Sequence, residues 1–592
     1  MPQINADADD CFEYTTGKWI YNDALRHSER RKIFNIPELK RLAAHSINQS
    51  EHDLTGFKKL AEGGFNRTFL ITMRDGFQFV ARIPFPVTEP KSLLIASEVA
   101  TMDFLRSHGF PIPRVFGYST VADNPAGTEY MFMELVTGTN LGDVWFNLCE
   151  QEQTTIITNL VQLESKLMAL RFPASGSLYY CDDLPNNYPR ILIQPSNATN
   201  ENSKQFCIGP DTSFRLWFGK RLNLNVERGP YQDCFAALTT GATKEIAYLS
   251  EFGKPLHPFQ RLRREVHAYE PQSHKDHVQN LKKYLAIAPD LIPSGETDQY
   301  LHRPVIRHPD LQPNNVIVTE SLQVKGLIDW QHSTILPLFL QSGIPLSVKS
   351  QDIVDPGLSA QDSEPTSPSL SHKDSGSESD IDSDSDSNDL LQPVGDSTSK
   401  PRHHWTSKEL EIFRRRRLHR EYIRQTAKLN PEHYEALSEK YNKLRRRLWH
   451  HSGDPWEGDI ITLKSDLIVF SRRWADITGN TDADSDADSD SDTGTGTGTG
   501  STRCPISFSN EEVRECLRLN AAQAEADEQF QECRDIVGVA SEGWTPIASY
   551  EKAKARARNL KMEAFQAAES EEERRRLEEN WIFDDFDEVD YT

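Results

Sequence analysis

Two acidic, low-complexity stretches limit what this chain can fold into, because neither can contribute to a packed core. Residues 350–400 contain 12 acidic residues and only 2 lysines, and residues 481–502 contain 6 aspartates among Ser, Ala, Gly and Thr. Such compositions bury too little apolar surface to offset the entropy lost on ordering. The sequence therefore predicts disordered acidic insertions at 350–402 and 477–503, with structured segments between them.

The acidic stretches also account for most of the net charge. They contribute −10 and −6 to the formal charge of −23, which leaves −7 for the rest of the 592 residues. The apolar runs are far shorter than a bilayer span, the 8 cysteines include no CxxC pair, and the N-terminus shows no targeting pattern. These features predict a soluble, cytoplasmic protein with no disulfide framework and no membrane span.

Residues 54–136 are predicted to form a small antiparallel lobe. FKKLAEGGFNRTFL and GFQFVARIP alternate apolar and polar residues, and Asp75-Gly76 is typical of a hairpin turn. SLLIASEVATMDFLRSHG predicts an amphipathic helix that ends at Gly109, and TEYMFMEL predicts a strand before Gly138. Five strands are expected, with one helix inserted after the third.

The rest of the chain is predicted to be mainly helical. An extension, 1–53, precedes the small lobe, and residues 137–349 form a large lobe with loops through 171–242. Residues 403–476 and 504–592 are charged, helix-rich segments that we expect to pack on the large lobe. The predicted fold class is therefore α+β, with a small sheet lobe and a mainly helical large lobe.

Residues 305–330, VIRHPDLQPNNVIVTESLQVKGLIDW, carry the spacing that says most about chemistry. Asp310 lies on a loop after a predicted strand and can accept the proton of a hydroxyl. Asn315 and Asp329 flank the next two strands, where both can hold Mg²⁺ for phosphoryl transfer. His308 belongs to the same catalytic loop, and we favour a role in bracing that loop through its backbone.

Several upstream residues indicate a nucleotide site. A glycine turn can cover phosphates with backbone N–H groups, a cation on the third strand can pair with a glutamate 16 residues later, and the end of a later strand can meet the adenine. The turn is Gly63, Gly64, Phe65 and Asn66, and the cation and its glutamate are Arg82 and Glu98. The strand end is Glu134 and Leu135.

These motifs resemble the aminoglycoside phosphotransferase family, whose fold is protein-kinase-like. HPDLQPNN and IDW are similar to that family's catalytic and metal-binding loops. YNDALRHSERRKIF, LAEGGFNRTFL and IDWQHSTILPLFLQSGIP are most similar to the branch called altered inheritance of mitochondria protein 9. The resemblance implies ATP and Mg²⁺ as cofactors, Asp310 as the catalytic base, and Asn315 and Asp329 as Mg²⁺ ligands. The branch name adds a mitochondrial location as the alternative to the cytoplasm.

Two departures from protein kinases keep a second function open, and a third bears on the acceptor. The third strand carries Arg82 rather than lysine, the turn has only two glycines, and no APE-like segment follows Asp329. The missing segment favours a small-molecule hydroxyl acceptor over a protein. The alternative is a pseudokinase-type scaffold that binds nucleotide without turnover and meets protein partners through its acidic insertions.

Arginine runs at 414–417 and 445–447 raise a third interpretation, nucleic-acid binding. Each run lies in a helix that also carries glutamate and lysine, so a solvated charged face is the simpler interpretation. The negative net charge also argues against nucleic acid as a partner.

Overall fold

The computed structural model describes residues 10–194, 204–295, 298–350, 407–479 and 503–592. The predicted acidic insertions, 350–402 and 477–503, lie almost wholly outside these ranges. Across the described residues, every helix is too short or too polar to cross a membrane.

The N-terminal extension packs on the small lobe. It comprises strand β1 (Gly17–Trp19) and helices α1 (Asp23–Arg30) and α2 (Ile36–Ser46). Asn35 caps α2 by accepting a hydrogen bond from a first-turn amide, and Pro37 lies in that turn. Phe34 and Leu39 join the hydrophobic core of the neighbouring sheet. The extension therefore completes one face of the small lobe.

The predicted five-stranded sheet and its helix are confirmed. They are β2 (Leu54–Glu62), β3 (Asn66–Met73), β4 (Gln78–Pro84), α3 (Lys91–Ser107), β5 (Val115–Ser119) and β6 (Tyr130–Glu134). The strands are antiparallel, in the order β2-β3-β4-β6-β5. Gly76 and Gly109 have φ angles of +85° and +81°, so both hairpin turn and helix end use the backbone freedom of glycine.

The large lobe continues from the end of β6 and alternates helices with short strands. Its elements are β7 (Thr139–Asn140), α4 (Leu141–Val144), α5 (Glu150–Ala169), β8 (Ser177–Tyr180), β9 (Ile191–Leu192), β10 (Phe206–Gly209), α6 (Cys234–Phe252), α7 (Leu262–Val266), α8 (His274–Ile287), β11 (Pro304–Ile306), β12 (Val316–Val318), β13 (Val324–Leu327), β14 (Ile335–Pro337) and α9 (Leu338–Gln341). The small sheets are β13-β12-β7, β11-β14 and β8-β10-β9.

The loop prediction for 171–242 is wrong in part. The three-stranded sheet β8-β10-β9 lies there, and α6 begins at Cys234. Strands of 4, 2 and 4 residues are too short to show a two-residue alternation in the sequence.

Helix α3 differs from the amphipathic helix that its sequence predicts. Twelve of its residues are buried, because the small-lobe sheet and the sheet β8-β10-β9 cover it from different sides. Ile95 belongs to the main core, whereas Leu93 and Ala96 pack against Tyr179 and Cys207. The helix is therefore held in place by both lobes.

The helical additions join both lobes. They are α10 (Ser407–Leu429), α11 (Pro431–Ser438), α12 (Asn442–Gly453), α13 (Ile461–Arg472), α14 (Trp474–Thr478), α15 (Asn510–Val537), β15 (Trp544–Pro546), α16 (Tyr550–Ala567) and α17 (Glu571–Asn580). Helix α10 packs on α5, α12 packs on α6, and α15 packs on α13 and α7. Strand β15 pairs with β1, which links the C-terminal segment to the N-terminal extension.

The arginine runs take part in this packing. Arg417 pairs with Glu150 at the start of α5, and Arg447 pairs with the buried Asp466 of α13. Ion pairs between helices favour the charged-face interpretation of these runs.

Candidate active site

The β12–β13 hairpin brings together two predicted metal ligands. Val316 pairs with Leu327, and beyond that rung the amide of Ile328 donates to the carbonyl of Asn315 at 3.0 Å. Antiparallel pairing places residues on opposite strands side by side. Asn315 and Asp329 therefore lie at the same end of the hairpin, although 14 positions separate them in the sequence.

Asp310 lies in the loop that leads into this hairpin. Its carboxylate accepts hydrogen bonds from Gln312, at 2.5 Å, and from the Asn315 amide, at 3.2 Å. Partial loss of hydration in the loop raises the pKa of Asp310, and the bond from Gln312 opposes that rise. The Asn315 nitrogen is bound to Asp310, so its amide oxygen is the atom left to act as a ligand.

His308 braces this loop from beneath. Its Nε2 lies 2.9 Å from the carbonyl of Ile328, and its Nδ1 accepts from the amide of Asp310 at 3.2 Å. The ring is buried against Trp330, and burial lowers the pKa of His308 to about 4. A neutral imidazole with both nitrogens occupied positions Asp310 and has no free atom for a substrate.

Arg82 joins the two lobes across the cleft. Its Nη1 donates to Glu98 Oε1 at 2.5 Å, and its Nη2 donates to Asp329 Oδ1 at 2.6 Å. We call these three residues the cleft cluster. Arg82 and Glu98 are buried, whereas the Asp329 side chain is 43% exposed. Burial raises the pKa of Glu98 to about 7, because it outweighs the opposing effect of Arg82.

The backbone of Asp329 is in the left-handed region, with a φ of +67°. Aspartate tolerates this region better than most residues, but it remains uncommon outside glycine. Strained backbone of this kind is concentrated at functional sites. The turn ends the strand and leaves the carboxylate facing Arg82 in the cleft.

The glycine turn closes tightly over the cleft. The amide of Gly63 donates to the carbonyl of Asn66 at 2.9 Å, and the side-chain amide of Asn66 lies between Gln331 at 2.6 Å and Arg82 at 2.7 Å. A Cβ built on Gly64 would meet nothing within 4 Å. The space beside the turn is therefore open for a ligand that approaches the backbone.

Phe65, at the tip of that turn, contacts the large lobe. Its ring centroid lies 5.3 Å from that of His332 and 5.8 Å from that of Phe214. The sequence did not indicate Phe214, Gln331 or His332 as site residues. Gln331 and His332 directly follow the IDW motif, which is a usable signal, whereas nothing near Phe214 in the sequence points to the cleft.

Glu134 and Leu135 lie apart from the cleft cluster. The Glu134 carboxylate accepts from the amide of Arg114 at 3.0 Å, and its own amide donates to the Arg114 carbonyl. Leu135 packs on the main core. The structure thus turns the Glu134 side chain away from Arg82, and only the main chain of this segment is placed to serve as a hinge.

The donor atoms of the site suit a hard cation. Asp329, Asn315 and Asp310 supply carboxylate and amide oxygens, which Mg²⁺ prefers. Among the described residues, no three His, Cys, Asp or Glu side chains are placed to hold a metal by themselves. Mg²⁺ in phosphoryl-transfer sites takes one or two protein ligands and completes its shell with phosphate oxygens and water. The residues present therefore fit Mg²⁺ that arrives with a nucleotide.

A small antiparallel sheet, a helix after its third strand, and an Asp–Asn–Asp set on a large-lobe hairpin and the loop before it define a two-lobed, protein-kinase-like phosphotransferase fold. The family comparison agrees. Residues 56–339 match the model of the phosphotransferase enzyme family, APH.

Similar proteins extend over different shares of the chain. A subtelomeric hrmA-associated cluster protein of Aspergillus fumigatus is 28% identical over 86% of this chain and 93% of its own length. The mitochondrial altered inheritance of mitochondria protein 9 of Yarrowia lipolytica is 27% identical over 56% of this chain and 59% of its own length. A solved complex of streptomycin, ATP and APH(2'')-IIa covers 52% of this chain and 76% of that chain, at 12% identity and a TM-score of 0.30.

Proposed function

We propose that this protein is an ATP- and Mg²⁺-dependent phosphotransferase that moves the γ-phosphoryl group to a hydroxyl of a small molecule. The observation that carries the proposal is the meeting of the Asp310–Asn315 loop with the cleft cluster. Five residues from four separate parts of the chain converge there, in the roles that phosphoryl transfer needs.

Asp310 is the proposed catalytic base. Its carboxylate is exposed to the cleft and is oriented by Gln312 and Asn315. The raised pKa of Asp310 makes it a stronger base than an ordinary aspartate, which favours removal of a hydroxyl proton. His308 holds the backbone of this loop and acts as a positioning residue.

Asn315 and Asp329 are the proposed Mg²⁺ ligands. When bound, Mg²⁺ neutralises charge on the phosphate oxygens. Asn315 and Asp329 would hold the ion, and the Arg82 guanidinium, which Glu98 keeps in place, would bind the α- and β-phosphates. Backbone amides of Gly63, Gly64, Phe65 and Asn66 cover the phosphates, and the main chain of Glu134 and Leu135 meets the adenine.

The chain after Asp329 supports a small-molecule acceptor. Strand β14 begins at Ile335, six residues after Asp329, and pairs with β11 inside the large lobe. This leaves no length for the long segment that positions a peptide in protein kinases. The acceptor is therefore expected to enter the cleft beside Asp310 as a free molecule.

One observation favours a second candidate, a scaffold without turnover. Asp329 is already paired with Arg82 at 2.6 Å through one carboxylate oxygen, so a metal ion would compete with Arg82 for this carboxylate. If Mg·ATP never binds in place of the Arg82–Asp329 ion pair, the cleft cluster only holds the two lobes together. Nucleotide binding and turnover separate these candidates.

The test is release of ADP from Mg·ATP by the full-length protein, with and without a panel of hydroxyl compounds. We expect turnover that falls by about 10²–10⁴-fold in Asp310→Asn. Asp123→Asn, in an exposed loop of the small lobe, is the control and is expected to match the unmodified protein. Equal ADP release by unmodified protein and Asp310→Asn would favour the scaffold.

The compartment is a separate proposal. The names of the relatives from several yeasts include the word mitochondrial, which supports the mitochondrial alternative for this chain. Fluorescence microscopy of the tagged protein against a mitochondrial marker distinguishes that location from the cytoplasm.

A further inference from the structure

Two cysteines are neighbours on the small sheet that covers helix α3. Cys207, on β10, is opposite Tyr179 of β8. Cys181 directly follows β8, and its amide donates to the carbonyl of Gln205 at 2.8 Å. Alternate residues of a strand share a face, so Cys181 and Cys207 are diagonal neighbours on the same face.

The two thiols differ in access and share an electropositive neighbour. Cys207 is fully buried, whereas Cys181 is half-buried, and both are free thiols. Burial and the adjacent, hydrogen-bonded Cys181 thiol raise the pKa of Cys207 to about 12. The Arg190 guanidinium donates to the carbonyl of Cys181 at 2.7 Å, and its charge opposes that rise. Cys181 is therefore the thiol of the pair that a small oxidant can reach.

We propose that Cys181 and Cys207 form a reversible disulfide on exposure to hydrogen peroxide, and that this bond alters the position of helix α3. Disulfide formation is independent of the proposed phosphotransferase function. The effect on turnover rests on that function, because α3 carries Glu98 of the cleft cluster.

The reaction balances with one peroxide and two thiols. The Cys181 thiolate attacks one peroxide oxygen, the O–O bond breaks, and the leaving hydroxide takes a proton to become water. Cys207 then attacks the sulfur of the Cys181 sulfenic acid, and its thiol proton leaves with the displaced hydroxide as a second water.

The new bond requires the two strand ends to move together. Diagonal neighbours in a sheet have Cα atoms about 7–8 Å apart, whereas disulfides span less than about 6.8 Å. A shift of about 1 Å follows from these two spacings. Cys181 lies just beyond the last residue of β8, where the sheet constrains the backbone least.

That shift reaches helix α3 by direct contact. Cys207 packs in one cluster with Leu93 and Ala96 of the helix, and the hydroxyl of Tyr180 donates to Asp103 near the end of the same helix. A misplacement of about 1 Å at catalytic groups can lower turnover by about 10²-fold. We expect the oxidised protein to lose turnover by up to that factor and to regain it on reduction.

The experiment treats the full-length protein with hydrogen peroxide, with no nucleotide present, and then maps disulfide-linked peptides by mass spectrometry. The accessible-thiol count in denaturant is expected to fall from 8 to 6, with Cys181 and Cys207 in one linked peptide. Dithiothreitol is expected to restore all 8 thiols. Cys181→Ser and Cys207→Ser are expected to block the link, whereas Cys149→Ser, at an exposed helix start, is expected to leave it unchanged.

Turnover and the thermal midpoint are then measured on oxidised and reduced samples. A Cys181–Cys207 link with a reversible loss of turnover supports the proposal. Absence of the link, or pairing of either cysteine with another, overturns it. A link that leaves turnover unchanged overturns the effect on α3. A reduced protein without turnover contradicts the phosphotransferase function. In that case the peptide map and the thermal midpoint still decide whether the Cys181–Cys207 disulfide forms.

Discussion

Two clusters of charged residues in this molecule have similar composition and opposite surroundings. The cleft cluster joins Arg82, Glu98 and Asp329, whose side chain is 43% exposed. The second, which we call the sealed cluster, joins Arg221, Lys244 and Glu245, and all three side chains are 0% exposed. Each has one arginine that binds a glutamate, and the clusters differ in their third residue, an exposed aspartate in one and a buried lysine in the other.

Glu245 has no capacity left for a ligand. It accepts two bonds from Arg221, at 2.6 and 2.8 Å, one from Lys244 at 2.7 Å and one from the amide of Trp456 at 2.7 Å. Against the effect of burial, its cationic neighbours lower the pKa of Glu245 to about 2. Asp329 instead accepts from Arg82 on one oxygen and keeps solvent access. Exposure of one carboxylate is therefore what turns a structural ion cluster into a candidate site.

Glu245→Gln is expected to have the largest effect. It leaves Arg221 and Lys244 buried without a counter-charge, which costs about 3–5 kcal/mol of unfolding free energy. Urea denaturation measures this loss. The matched change in the cleft, Glu98→Gln, leaves Arg82 paired with Asp329 and is expected to cost about 1–2 kcal/mol. Equal losses in the two variants would contradict the distinction between the clusters.

Asp329→Ala is expected to act mainly on function, with a smaller cost in stability from alanine at a positive φ. It removes a proposed Mg²⁺ ligand, and metal stabilisation of transition-state charge is worth several kcal/mol, so turnover is expected to fall by about 10³-fold. It also removes the Mg·ATP-dependent rise in thermal midpoint, which corresponds to about 2.7 kcal/mol at 100 times the dissociation constant. Asp123→Asn is the control. A full midpoint shift in Asp329→Ala would exclude this residue from the metal site.

The sealed cluster predicts a pH dependence of stability through His277, which lies beside Glu245. Burial lowers the pKa of His277 from 6.5 to about 4. The unfolded chain therefore binds more protons than the folded chain between these values, so stability is complete above pH 6.5 and falls as the pH drops toward 4. We expect a loss of about 3 kcal/mol across this window.

Urea denaturation at several pH values between 4 and 7 measures that slope. His277→Asn removes the titrating group and is expected to flatten it, whereas His52→Asn, which is exposed, leaves it unchanged. The same slope in His277→Asn and the unmodified protein would show that other groups cause the acid sensitivity.

Arg82→Lys is expected to have the smallest effect. It keeps the charge but loses the fork that reaches Glu98 and Asp329 together, so turnover is expected to fall by about tenfold, or about 1.4 kcal/mol. Stability is expected to change little. Arg221→Lys is the matched variant in the sealed cluster, and there we expect the reverse, a clear loss of stability with turnover per folded molecule unchanged. Steady-state kinetics and urea denaturation of both variants measure this difference.

The small lobe could be predicted from the sequence because its signals are local. Strand-forming runs of seven to nine residues, the Asp75-Gly76 turn and the glycine after α3 each act within a few residues. The sheet β8-β10-β9 could not be predicted, because its strands are too short to carry a pattern. Its cover over α3 depends on contacts between distant residues, such as Asp103 and Tyr180, which are 77 positions apart.

Within the candidate site, the order and spacing of HPDLQPNN and IDW determined which residues belong to the metal and catalytic loops. The sequence alone also predicted that Arg82 lies on the third strand and Glu98 on the helix that follows it. Only the tertiary structure decided that Arg82 binds Asp329, 247 positions later, that Glu134 turns away, and that Asp329 is open to solvent whereas Glu245 is sealed. Local sequence fixes which side chains a segment carries, but exposure and charge pairing depend on which distant segments pack against it.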